Sequence, residues 1–73
     1  MSSQDLAKIV AANVRKNRKA RGWSQEKLAD KTGLHRTYIG AIERAEQSIT
    51  LATLQRLAEA LECSPQLLIT QLD

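Results

Sequence analysis

The chain has 73 residues, a single cysteine and a net charge of +3 at neutral pH, which sets it as one domain, 1–73, near the smallest size at which a core forms without disulfides or metal. Cys63 alone cannot close an intrachain disulfide, no Cys/His cluster has metal spacing, and no apolar run approaches the roughly 20 residues of a membrane span; neither metal, cofactor nor membrane is expected, and a reducing cytoplasm is the simplest setting. Residues 1–36 carry nine Lys and Arg against three acids, and residues 37–73 carry two against five, an asymmetry that reads either as one face turned to a polyanion or as a solvated helix surface.

Helix-period patterns run nearly end to end, and no stretch alternates for the length of a strand, so the chain is expected to be all-α. Leu6, Ile9, Val10, Asn13 and Val14 form the apolar stripe of a first helix over about Gln4–Arg21. Its basic last turns, RKNRKAR, suit the negative end of a helix dipole, and Gly22 stops it. Ser24 caps a second helix, QEKLADKT, which Gly33 closes. Only Gly33 and Leu34 connect it to the next helix, so the two must meet steeply, as a helix-turn-helix over about 24–44.

The third helix lies in GLHRTYIGAIER. At about 100° per residue, Ile39 and Ile42 mark its buried side, with Thr37, Gly40, Ala41 and Arg44 opposite and Arg36 on the flank. His35, at its start, is expected as a cap or partly buried spacer and stands within reach of base edges. Small residues where a backbone must come close and polar groups in the first turns are what a helix in the DNA major groove requires. Arg36 can present two donors to guanine, and Thr37 can meet a base edge or a thymine methyl, each worth about 1–3 kcal/mol of discrimination. Glycine inside a helix costs on the order of 1 kcal/mol against alanine, so Gly40 needs a reason, either close approach of DNA or close helix packing. Gln25 and Ser24, at the start of the second helix, and Tyr38 and Arg44 are placed to hold phosphate. Gln25 and Tyr38 read equally well as a first-turn residue and a core edge.

AEQSIT is a loop leading to Thr50, the cap of a fourth helix, LATLQRLAEAL, with Leu51, Leu54, Leu57, Ala58 and Leu61 on one face. Ser64 and Pro65 open a last helix through QLLITQL. Leu67, Leu68, Ile69 and Leu72 exceed what one short helix needs for its own core contact, so some of them, Leu68, Ile69 and Leu72 foremost, are expected at a dimer interface. Burial within the protomer is the alternative.

SQEKLA, the glycine before the third helix, YIGAIER and LATLQRLAEAL together make residues 21–65 resemble the prokaryotic lambda repressor-like (Cro/CI, Xre-type) helix-turn-helix family, with HRTYIGAIER most similar to the controller proteins of restriction-modification systems. The resemblance implies a compact five-helix domain that binds operator DNA as a homodimer. It implies base contacts by Arg36 and Thr37, phosphate contacts by Gln25, Tyr38 and Arg44, and further phosphate contacts at Ser48 and Thr50. Arg18 and Glu43 match the family's structural ion pair. The family pattern has glycine where this chain has Ala45 and Glu62, leucine at Asn17 and proline at Ile49.

These features point to a transcriptional regulator on a (pseudo)palindromic operator, with Glu46 a candidate contact to RNA polymerase and no small-molecule ligand expected. The alternative is an antitoxin or protein-recruiting helix-turn-helix module, whose toxin-binding tail is not expected in the short end QLD. An enzyme is not expected, because His35, Cys63 and the carboxylates show no nucleophile-base spacing.

Overall fold

The computed structural model describes residues 3–71, with side chains from residue 5 onward. Five helices follow one another: α1 Ser3–Ala20, α2 Gln25–Thr32, α3 Arg36–Glu43, α4 Leu51–Ala60 and α5 Pro65–Ile69. No strand occurs among the described residues, and no helix is long and apolar enough to cross a membrane.

Each helix from α2 onward begins at a side-chain cap, which satisfies a donor the first turn leaves without an intrahelical acceptor. Ser24 Oγ accepts from Lys27 N at 3.0 Å, His35 Nδ1 from Thr37 N at 3.1 Å, Thr50 Oγ1 from Thr53 N at 3.1 Å and Ser64 Oγ from Leu67 N at 3.3 Å. Helix ends are as specific. Gly33, at φ 74°, turns the chain between α2 and α3 and donates to Ala29 O at 2.9 Å. Ala45 and Glu62 take the same left-handed conformation, at φ 59° and 54°, without being glycine. Each closes a Schellman motif: Ala45 N and Glu46 N reach Ile42 O and Ala41 O, and Glu62 N and Cys63 N reach Glu59 O and Ala58 O.

The core lies between the five helices, with α1 packed on α3 and α5, α2 on α3 and α4, and α4 on α5. Val10, Val14, Leu28, Ile39, Ile42, Leu54, Leu57, Leu61 and Leu68 form one buried cluster. Burial at about 25 cal/mol per Å² is what drives a chain of this size together, and α3 is fixed by Ile39 and Ile42, both essentially inaccessible. Its opposite face is thereby held outward.

Three expectations need correction. Leu68 is fully buried in its own protomer, so it cannot supply a partner surface. Leu51, assigned to the core face of α4, is 84% exposed, because it sits in the first turn, beyond the edge of the cluster. The last helix ends at Ile69 instead of running through Leu72, with Thr70 already extended. Asn13 explains that end: its buried Nδ2 donates to Leu67 O, Leu68 O and Thr70 O at 3.1, 3.0 and 2.8 Å, taking carbonyls that a longer helix would have used itself. Leu72 lies outside the described residues.

Candidate nucleic-acid interface

α3 presents Arg36 and Thr37, both exposed, from its first turn, and His35 is exposed just before them. The His35 side chain is the cap, so its Nδ1 is committed to Thr37 N while the rest of the ring faces solvent. Tyr38 and Ala41 are half-buried along the edges of this face. Beside it stands the start of α2, where Ser24 occupies the Lys27 N–H and the N–H groups of Gln25 and Glu26 have no intrahelical acceptor.

A buried network holds the two helices in this relation. Arg18, from α1, makes a two-pronged pair with Glu43 at the end of α3, Nε to Oε2 at 2.7 Å and Nη2 to Oε1 at 3.0 Å. Its Nη1 donates to Trp23 O at 2.7 Å, in the connector before α2. Gln25 Nε2 completes the set by donating to Glu43 Oε1 at 3.2 Å. The Glu43 side chain is only 3% exposed. Its hydrogen bond holds the Arg18 guanidinium above its ordinary pKa, against the opposing cost of burial. Three elements are thus tied through one carboxylate, and a fork of five donors is the side chain suited to do it.

Gly40 belongs to this packing. A Cβ there would stand 3.0 Å from Arg44 Nη1 and 3.5 Å from Gln25 Oε1, so the missing side chain makes room for these two polar groups, not for an open approach of DNA. The result still serves the face, since Gln25 and Arg44 lie side by side across it. Arg44 also pairs with Glu46 at 3.0 Å, both side chains more than half exposed. The hydrogen bond from Arg44 lowers the Glu46 pKa and is matched by a rise at Arg44.

Ser48 and Thr50 are exposed in the α3–α4 loop. They also line an apolar groove of about 340 Å³ with Leu6, Ile49, Leu51, Leu54 and Ile69. Leu6, Leu51 and Ile69 are the large apolar side chains left exposed among the described residues. Reading by periodicity missed Leu6 and Leu51 as surface, since a helical stripe looks the same whether its own core or another chain covers it. The signal within reach was position: Leu51 follows directly on the cap Thr50, at the outer end of its stripe.

The geometry is that of two short helices joined by the turn at Gly33, one exposing its first residues beside the other's N-terminus. The helix-turn-helix family HTH_3 matches residues 14–68. The chain belongs to the helix-turn-helix family. Among individual relatives, it is 51% identical over 67 residues to the control protein C.SmaI of Serratia marcescens, covering 92% of this chain and 80% of that protein. The solved structure of the hypothetical transcription factor NHTF from Neisseria matches with a TM-score of 0.89 at 39% identity, over 97% of this chain and 82% of that one. The restriction-modification controller protein C.Esp1396I, solved as a tetramer with its natural 35-base-pair operator, matches at a TM-score of 0.80 and 36% identity, over 86% and 83% of the two chains.

Proposed function

We propose that this chain is a sequence-specific DNA-binding transcriptional regulator of the controller type, not an enzyme, and that it reads a two-fold related operator as a homodimer. The observation that carries the reading is the exposed first turn of α3, Arg36 and Thr37, held beside the start of α2 by the Arg18–Glu43–Gln25 network. In this arrangement Arg36 and Thr37 read base edges, with His35 and Ala41 at the margins of the same face. Gln25, Ser24, Tyr38 and Arg44 hold phosphates on either side, and Ser48 and Thr50 extend the contact from the loop. The likeness to C.SmaI and to C.Esp1396I, the latter seen on its operator, supports this reading.

Homodimerisation fits the apolar groove at Leu6, Ile49, Leu51 and Ile69, which replaces Leu68 as the partner surface. Two half-sites read together multiply affinity through effective concentration. Glu46, exposed beside the end of α3, is the acid we assign to any contact with RNA polymerase.

The roles separate in one experiment. Arg36→Ala is expected to relax base preference at one operator position and cost about 1–3 kcal/mol against the preferred base. Gln25→Ala is expected to weaken all duplexes alike. Binding of both variants to a panel of single-base operator variants decides it, and a uniform loss for Arg36→Ala contradicts the assignment.

A further inference from the structure

α1 carries more positive charge than the reading face uses. Arg18 is spent on Glu43 and Arg21 on Glu62. Lys8, Arg15, Lys16 and Lys19 form no ion pair among the described residues, and all four are exposed. They share one side of the helix and line a single open depression with Arg44 and Ala45, floored by Ala11 and Ala12.

The helix dipole does not account for this stripe. It favours cations only in the last turn, where Lys19 sits, whereas Lys8 lies in the first half of α1 and Arg15 is interior. Nor does solubility require four cations on one side with a single acid, Asp5, beside Lys8 at the start of the stripe, since evenly mixed charges serve that purpose. Glu43 touches the depression but is buried and neutralised by Arg18. Long side chains above a floor of alanines let a rod-like polyanion lie close to the helix.

Arg44 links this face to the reading face. Its guanidinium lies over Gly40 beside Gln25, and the same side chain lines the depression. A basic surface therefore continues from Arg44 at the end of α3, where it also pairs with the exposed Glu46, along α1. Lys8 to Lys19 spans about 16 Å of helix, against about 3.4 Å of axis per phosphate on one DNA strand.

Resting on the DNA-binding reading above, we infer that the Lys8, Arg15, Lys16 and Lys19 face of α1, with Arg44, is a second phosphate-backbone site that grips duplex DNA outside the contacts of α2 and α3, without reading its sequence. Such a site adds affinity and salt dependence while leaving base preference alone.

The test compares two variants of equal charge. R15Q/K19Q removes two cations from the face, and K31Q/R56Q removes two exposed cations from α2 and α4. Circular dichroism verifies that both fold. Affinity is measured between 0.05 and 0.3 M salt, for the duplex recovered by the unaltered protein from a random library and for a random duplex of equal length. For R15Q/K19Q the slope of log affinity on log salt is expected to flatten by about 0.9 for each phosphate that the variant no longer neutralises, with about tenfold or greater weakening at 0.15 M salt, in equal proportion on both duplexes. K31Q/R56Q is expected to change little. Equal slopes for the two variants, while the unaltered protein still selects a motif, would overturn the site and leave the face to an acidic protein or to solvent. A change in base preference would overturn its sequence-independent character. Failure of the unaltered protein to select any motif would instead remove the DNA-binding reading, and this site with it.

Discussion

Ala45 and Glu62 hold left-handed backbone at φ 59° and 54°, where a Cβ meets the neighbouring carbonyl. The strain costs about 1–2 kcal/mol per residue, and glycine would relieve it at the expense of about 0.4–1 kcal/mol of unfolded-state entropy. Ala45→Gly is therefore expected to raise stability by about 0.5–1 kcal/mol, read as a higher urea midpoint at unchanged slope. Glu62→Gly gains less, because it also removes the exposed pair with Arg21. Arg18 makes the opposite case. Arg18→Met strands the buried Glu43 carboxylate with Gln25 as its remaining side-chain partner, at about 3–5 kcal/mol, a large share of what a small domain has. Arg18→Met with Glu43→Leu is expected to recover most of that loss in the same denaturation measurement. Cys63 is a third, smaller case: burial pushes its thiol up more than Arg21 pulls it down. Its alkylation near pH 8 is expected to be slower in the folded protein than in urea. The polar residues of α3 were legible in the sequence because their types and spacing carry the chemistry. The reason for Gly40 stayed open between DNA approach and packing, because of the two groups that fill its space only Arg44, one turn on, is local, while Gln25 comes from another helix.

At the scale of elements, the helix starts follow from local chemistry: Ser24, Thr50 and Ser64 cap where they stand, and Gly22 and Gly33 end helices at positive φ. Local signals failed at α5. Its end is decided by Asn13, more than fifty positions away, whose amide holds two of its carbonyls and that of Thr70 just beyond it. Asn13→Ala leaves those carbonyls unsatisfied and is expected to cost about 1–3 kcal/mol. Hydrogen exchange locates the damage: amides of α5 should lose protection before those of α4 if Asn13 acts as its clamp. Loss spread evenly over the core would contradict that role. The same limit explains Leu68, since whether an apolar residue of a short helix faces its own core or a partner depends on where α1 crosses it.

For the whole molecule, the exposed face of α3, proposed to read bases, and the apolar groove are separate surfaces joined by the α3–α4 loop. Leu51, at 84% exposure, adds little to the protomer's own core. Leu51→Glu is expected to leave the fold intact and shift the protein to monomer in sedimentation equilibrium, weakening a two-half-site duplex far more than a single half-site. A dimer that survives the change would place the interface elsewhere. The most direct measurement is selection of the folded protein against a random duplex library at about 0.15 M salt, where nonspecific phosphate binding is weakened. An enriched inverted repeat with half-site centres about 10 bp apart is the predicted result. Recovery of no motif would contradict the claim that α3 reads DNA.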